Sequence, residues 1–135
     1  MKIDGIIEYN KNGVLSEEKV HIDAIKSLSN IDEDICDAVA FALFGKTVFN
    51  EIIRPEKGIP RIFLNIECAG KVVMLVRQPG YVGETELGTK TLVHELFSLS
   101  TDEKKYPTLS AEKYFKEIGR FIDLSFVEFA NQCKR

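Results

Sequence analysis

Residues 33–45, Glu33-Asp34-Ile35-Cys36-Asp37-Ala38-Val39-Ala40-Phe41-Ala42-Leu43-Phe44-Gly45, decide the fold. Ile35, Ala38, Val39, Ala42 and Leu43 recur at helical spacing, and Phe41 and Phe44 widen the stripe. Asn30 or Asp32 stands ready as N-cap, and the acids of the first turn suit the positive end of the helix dipole. Gly45 occupies the position where a left-handed residue ends a helix. The stretch predicts a helix over 33–44 that buries a broad face against something flat.

Strand patterns flank it and supply that flat partner. Lys2–Tyr9 reads as a strand, Asn10-Lys11-Asn12-Gly13 as a turn, and Val14–Asp23 as the returning strand. Ala24–Leu28 is short and ambiguous, and the polar run Ser29–Asp34 follows it. Downstream, Ile62, Leu64 and Ile66 alternate with Phe63 and Asn65, so Arg61–Cys68 is a strand; Ala69-Gly70-Lys71 turns and Val72–Arg77 returns. Pro79, Gly80, Gly83 and Gly88 make Gln78–Gly88 a loop, Thr89–Leu99 a third long strand and Thr101–Pro107 a polar turn. Ser110 caps a helix reaching about Ile118, and Ser125 with Glu128 three residues later forms a capping box for a last helix ending near Gln132. The expected class is α/β: a twisted, mainly antiparallel sheet, one main helix packed on it, and one or two C-terminal helices.

With 135 residues the chain is expected to form a single domain, residues 1–135, large enough to bury a real core. Its 44% hydrophobic and 29% charged residues are ordinary for a globular protein. No apolar run approaches the roughly 18–20 residues that cross a bilayer. The start is not read as a signal peptide. Cys36, Cys68 and Cys133 form no CxxC pair, and their odd number argues against a disulfide framework. A cytoplasmic location without membrane association is the expectation. The net charge of −3 disfavours autonomous nucleic-acid binding, which needs a basic face. Arg54, Lys57 and Arg61, close in sequence, remain the candidate cationic contacts.

Several motifs tempt and fail. Ala40-x-x-x-x-Gly45-Lys46-Thr47 has the loosest written form of a phosphate loop. Its spacers, Phe41-Ala42-Leu43-Phe44, continue a helix, so Lys46 follows a helix end, where the dipole is negative. Gly83-x-x-x-x-Gly88-Thr89-Lys90 has its last two residues reversed and precedes a strand. His94-Glu95 opens like a zinc-protease motif, but position 98 is Ser98. Asp32, Glu33, Asp34 and Asp37 read as charges of a helix start rather than a cation site. No catalytic residue, metal site or cofactor site is assigned, and the chain is not expected to be an enzyme on its own.

Asp37-Ala38-Val39-Ala40-Phe41-Ala42-Leu43-Phe44-Gly45 resembles the D-A-I-x-x-A-L-[FY]-G helix that follows the phosphate loop of SbcC-type (SMC-like) double-strand-break-repair ATPases. In order after it, Glu51-Ile52-Ile53-Arg54, the hairpin Ile62–Arg77, Gln78-Pro79-Gly80-Tyr81, Gly88-Thr89-Lys90, and Lys116-Glu117-Ile118 with Ile122–Ser125 and Phe129 resemble successive segments of that family's N-terminal lobe. The resemblance implies the fold of such a lobe. It also implies where a phosphate loop belongs, and there this chain has Ser29-Asn30-Ile31-Asp32-Glu33-Asp34, without glycine, lysine or a hydroxyl at the helix start. Asp32 then takes the place of the phosphate lysine, and a carboxylate repels a triphosphate. The chain stops before the family's glutamine loop, so it is not expected to assemble phosphoryl-transfer machinery alone.

The expected function is that of a non-catalytic binding protein acting through protein partners, SbcC/SbcD-type machinery or a second copy, as a regulator or antagonist of DNA repair. Direct DNA contact is expected to be weak. Two alternatives stay open: one part of a split SbcC-like ATP-dependent nuclease subunit, and a generic small interaction module. Phe126 and Phe129 of the last helix are the candidate apolar contacts for a homodimer or a heteromeric complex, since an uncovered apolar helix face invites another chain.

Overall fold

Asn12 and Gly13, with φ of 53° and 86°, form a two-residue turn whose left-handed backbone matches the twist of the strands it joins. The Asn10 side chain accepts a hydrogen bond from the Gly13 N–H at 2.8 Å. This turn closes a hairpin of β1 (Lys2–Lys11) and β2 (Val14–Ile22). The structure, a computed structural model, describes residues 1–84, 87–102 and 104–135. After β2 come a 3₁₀ turn (Ile25–Asn30), α1 (Glu33–Phe44), β3 (Ile59–Cys68) and β4 (Lys71–Gln78). Then follow β5 (Tyr81–Glu84), β6 (Lys90–Val93), β7 (Leu96–Thr101), β8 (Lys105–Tyr106), α2 (Ala111–Phe121) and α3 (Phe126–Cys133).

Six strands form one sheet in the order β2-β1-β3-β4-β7-β8, with every pairing antiparallel. Because β1 is antiparallel to both neighbours, β2 and β3 run parallel on either side of it, and α1 makes the crossing between them. The protein is thus α/β with a mainly antiparallel sheet, as the alternating patterns predict. The inner face carries Ile3, Ile7, Ile62, Leu64, Ile66, Leu75 and Leu99, all buried.

Helix α1 is buried from Cys36 through Leu43, all the way round rather than on one stripe. A helix apolar on every side needs cover on every side. The sheet covers one side, and α3 with the 3₁₀ turn covers another. Ala38, Ala40 and Ala42 are small enough to let both layers approach. The Tyr114 hydroxyl of α2 donates to the Ala42 carbonyl at 2.7 Å, which ties the C-terminal helices to α1.

Two expectations are corrected and one open stretch is resolved. Thr89–Leu99 is not one strand: it breaks at His94-Glu95, β6 pairs with β5 in a separate two-stranded sheet, and only β7 joins the main sheet. β5 lies inside the stretch expected to be loop and gives β6 a partner of its own; Thr85 and Glu86 of that loop, and Glu103 of the expected polar turn, lie outside the described residues. Second, the ambiguous Ala24–Leu28 piece contributes to a 3₁₀ turn whose Leu28 is buried. Third, Phe129 does not offer itself to another chain: it is fully buried, 5.7 Å from the Phe44 ring, because α1 needs α3 as its second wall. Among the described residues, no helix is long and apolar enough to cross a membrane.

Candidate functional site

The start of α1 is where the resemblance locates a phosphate loop. Asp32 is the N-cap, and its carboxylate accepts the Asp34 N–H at 2.8 Å. Asp34 in turn binds the side chains of Arg54 and Lys57, and Lys57 also binds Glu18 from β2. The Lys57 ammonium lies 5.2 Å from the centre of the Tyr9 ring. Burial pushes the Asp34 carboxyl up, but hydrogen bonds from Lys57 and Arg54 outweigh it and hold it below the usual range. Hydrogen bonds to Asp34 and Glu18 raise the Lys57 ammonium, and burial followed by the Glu18 charge lifts the Tyr9 hydroxyl to about 12. Glu18, Asp32 and Asp34 bring carboxylate oxygens within 4.8 Å of one another, a spacing that suits a hard cation. Arg54 and Lys57 already supply the balancing charge there.

The cationic candidates therefore do not form a patch. Arg54 and Lys57 meet on the helix side of the sheet, each bound to carboxylates. Arg61 points to the opposite, bare side, where its Nε donates to the Gln78 side-chain oxygen at 2.7 Å. Phe126, half-buried, packs edge-on against Phe44 at 5.8 Å.

At the other end of α1, Gly45 has φ 75° and its N–H donates to the Phe41 carbonyl at 2.9 Å, so Gly45-Lys46-Thr47 is a helix cap, not a phosphate loop. The buried Asp37 carboxylate holds the chain beyond it: it accepts the N–H groups of Val48 and Phe49 at 2.7 Å each and that of Asn50 at 2.9 Å. Lys46, Thr47, Ile52, Gly80 and Glu95 line an open cleft of about 490 Å³ there. Arg77 lies beside the cleft, 2% exposed, with its guanidinium stacked 4.2 Å from the Phe41 ring and 4.1 Å from the Phe97 ring. Its Nη1 donates to the Gln78 carbonyl at 2.8 Å, its Nη2 is 3.6 Å from Glu95, and among the described residues its Nε has no partner. Burial lowers its pKa. No motif marks Arg77 in the sequence, yet the alternation Val73, Leu75, Arg77 already points it inward.

The outer face of the sheet carries Ile6, Phe63, Val72 and Met74, all exposed. Register aligns Ile6 with Phe63 and Phe63 with Val76, so apolar side chains cross three strands. His21 is paired with Asp4 and Asp23, and the first of these bonds raises its pKa. Compared with protein-family models, with curated proteins and with solved structures, the chain matches none of them.

Proposed function

We propose that this chain is a non-catalytic binding protein, akin to an SbcC-type N-terminal lobe without its phosphate loop, that acts through protein partners of DNA repair. The charge at the start of α1 carries this reading. A triphosphate arriving there meets Asp32 and Asp34, and the neighbouring cations, Arg54 and Lys57, are already bound to carboxylates. At an effective dielectric near 20, two like unit charges about 4 Å apart repel by ~4 kcal/mol. Nucleotide turnover is therefore disfavoured. The exposed apolar band of Ile6, Phe63, Val72 and Met74 supplies surface of the kind that protein partners cover. The partner in this reading is SbcC/SbcD-type machinery, which the chain regulates or antagonises.

Size-exclusion chromatography with the purified SbcC–SbcD complex of the native host tests it. The expected result is co-elution that Met74→Glu abolishes while the variant melts like the wild type. Separate elution at micromolar concentrations contradicts the reading.

A further inference from the structure

Strand β2 forms one edge of the sheet, is nine residues long, and among the described residues its backbone ladder pairs with β1 alone. A two-residue turn makes Lys11 and Val14 the hydrogen-bonded closing pair of the hairpin. Alternation then directs the N–H and C=O groups of residues 14, 16, 18, 20 and 22 toward β1. Those of Leu15, Glu17, Lys19 and His21 point away from the sheet. Two large apolar side chains stand exposed on the same strand, Val14 at 70% and Leu15 at 59%. Long edges of this kind invite pairing.

We propose that the β2 edge binds a second copy of this chain, strand to antiparallel strand, about a two-fold axis through Glu18. In that register Glu17 faces Lys19 of the other copy and Leu15 faces His21, and every outward backbone group of residues 15–21 finds a partner. On the inner face Val14 comes opposite Ile22, whose own side chain is buried in the core. Glu18 meets its own copy at the axis, and each carries its own Lys57 as counter-ion. Shifting the register by two residues either way leaves outward groups unpaired and sets Glu17 against Glu17 or Lys19 against Lys19. The alternation of charge along the edge, which repels a foreign strand, is thus complementary to itself. This edge adjoins the apolar face assigned to the repair partner, with Ile6 directly opposite Lys19 inside the hairpin, but the strand-to-strand pairing does not rest on that reading.

Sedimentation equilibrium of the full chain at micromolar concentration, in low salt, tests the proposal. The expected result is a dimer. Glu17→Lys and Lys19→Glu each set like charges opposite one another at two places and weaken it about tenfold or more. The double variant Glu17→Lys/Lys19→Glu restores complementarity and returns the wild-type constant, which no merely structural role of these exposed residues predicts. A chain that stays monomeric overturns the proposal. So does a dimer that ignores both reversals.

Discussion

Replacing Asp37 by alanine removes the acceptor that ties residues 48–50 to α1. Three backbone N–H groups donate to this carboxylate, at 2.7, 2.7 and 2.9 Å. A hydrogen bond to a charged group contributes about 1.5–3 kcal/mol net. Val48, Phe49 and Asn50 are half-buried, so water partly replaces the lost partner. The low end of the range applies, and Asp37→Ala is expected to cost ~3–5 kcal/mol. Asp37→Asn keeps one acceptor oxygen but sets an NH2 group toward one or more of the donors, so about half of that loss, ~2 kcal/mol, is expected. Urea unfolding at neutral pH measures both. Hydrogen exchange at Val48, Phe49 and Asn50 locates the effect: protection should fall there first in the alanine variant. A loss below ~1 kcal/mol, or equal losses in both variants, would mean that the carboxylate is not what orders this segment.

Leu43→Ala and Phe129→Ala empty sites 2% and 0% exposed, so thermal or urea unfolding should show losses of ~2–5 and ~3–5 kcal/mol respectively. Phe129→Ala should leave self-association of the folded fraction unchanged, because the side chain is internal. Asp34 titrates below its ordinary value in the folded state, so its contribution to stability is full above that value and disappears as pH falls through the folded pKa. Urea unfolding between pH 2 and 6 should therefore show a steeper acid loss for the wild type than for Asp34→Asn, in a window around and below ~4. The bond to Asp4 raises His21 above its ordinary 6.5, which an NMR titration should show, and Asp4→Asn should bring it back down.

Much of the fold was legible because local chemistry is periodic. Helix α1 runs from Glu33 to Phe44 and ends at Gly45, as its spacing predicts, and of the two N-cap candidates Asp32 takes the role. The Ser125–Glu128 capping box marks α3, with the Ser125 Oγ accepting the Glu128 N–H. What was not legible depends on distance along the chain. Lys57 and Glu18 are 39 residues apart, and nothing periodic announces that they pair, so Arg54, Lys57 and Arg61 looked like one cationic group. Phe129 looked available because the second layer over α1 follows only from α1 being buried all round. The break at His94-Glu95 was hidden because β5 sits among glycines that read as loop.

Calorimetric titration of the full chain with Mg-ATP at millimolar concentration tests most directly whether this chain is a binding protein rather than a nucleotide enzyme. The predicted result is no saturating heat, in the wild type and in Lys46→Ala alike, because carboxylates close the start of α1 and Gly45-Lys46-Thr47 caps its end. A saturating heat in the wild type that Lys46→Ala abolishes would contradict it.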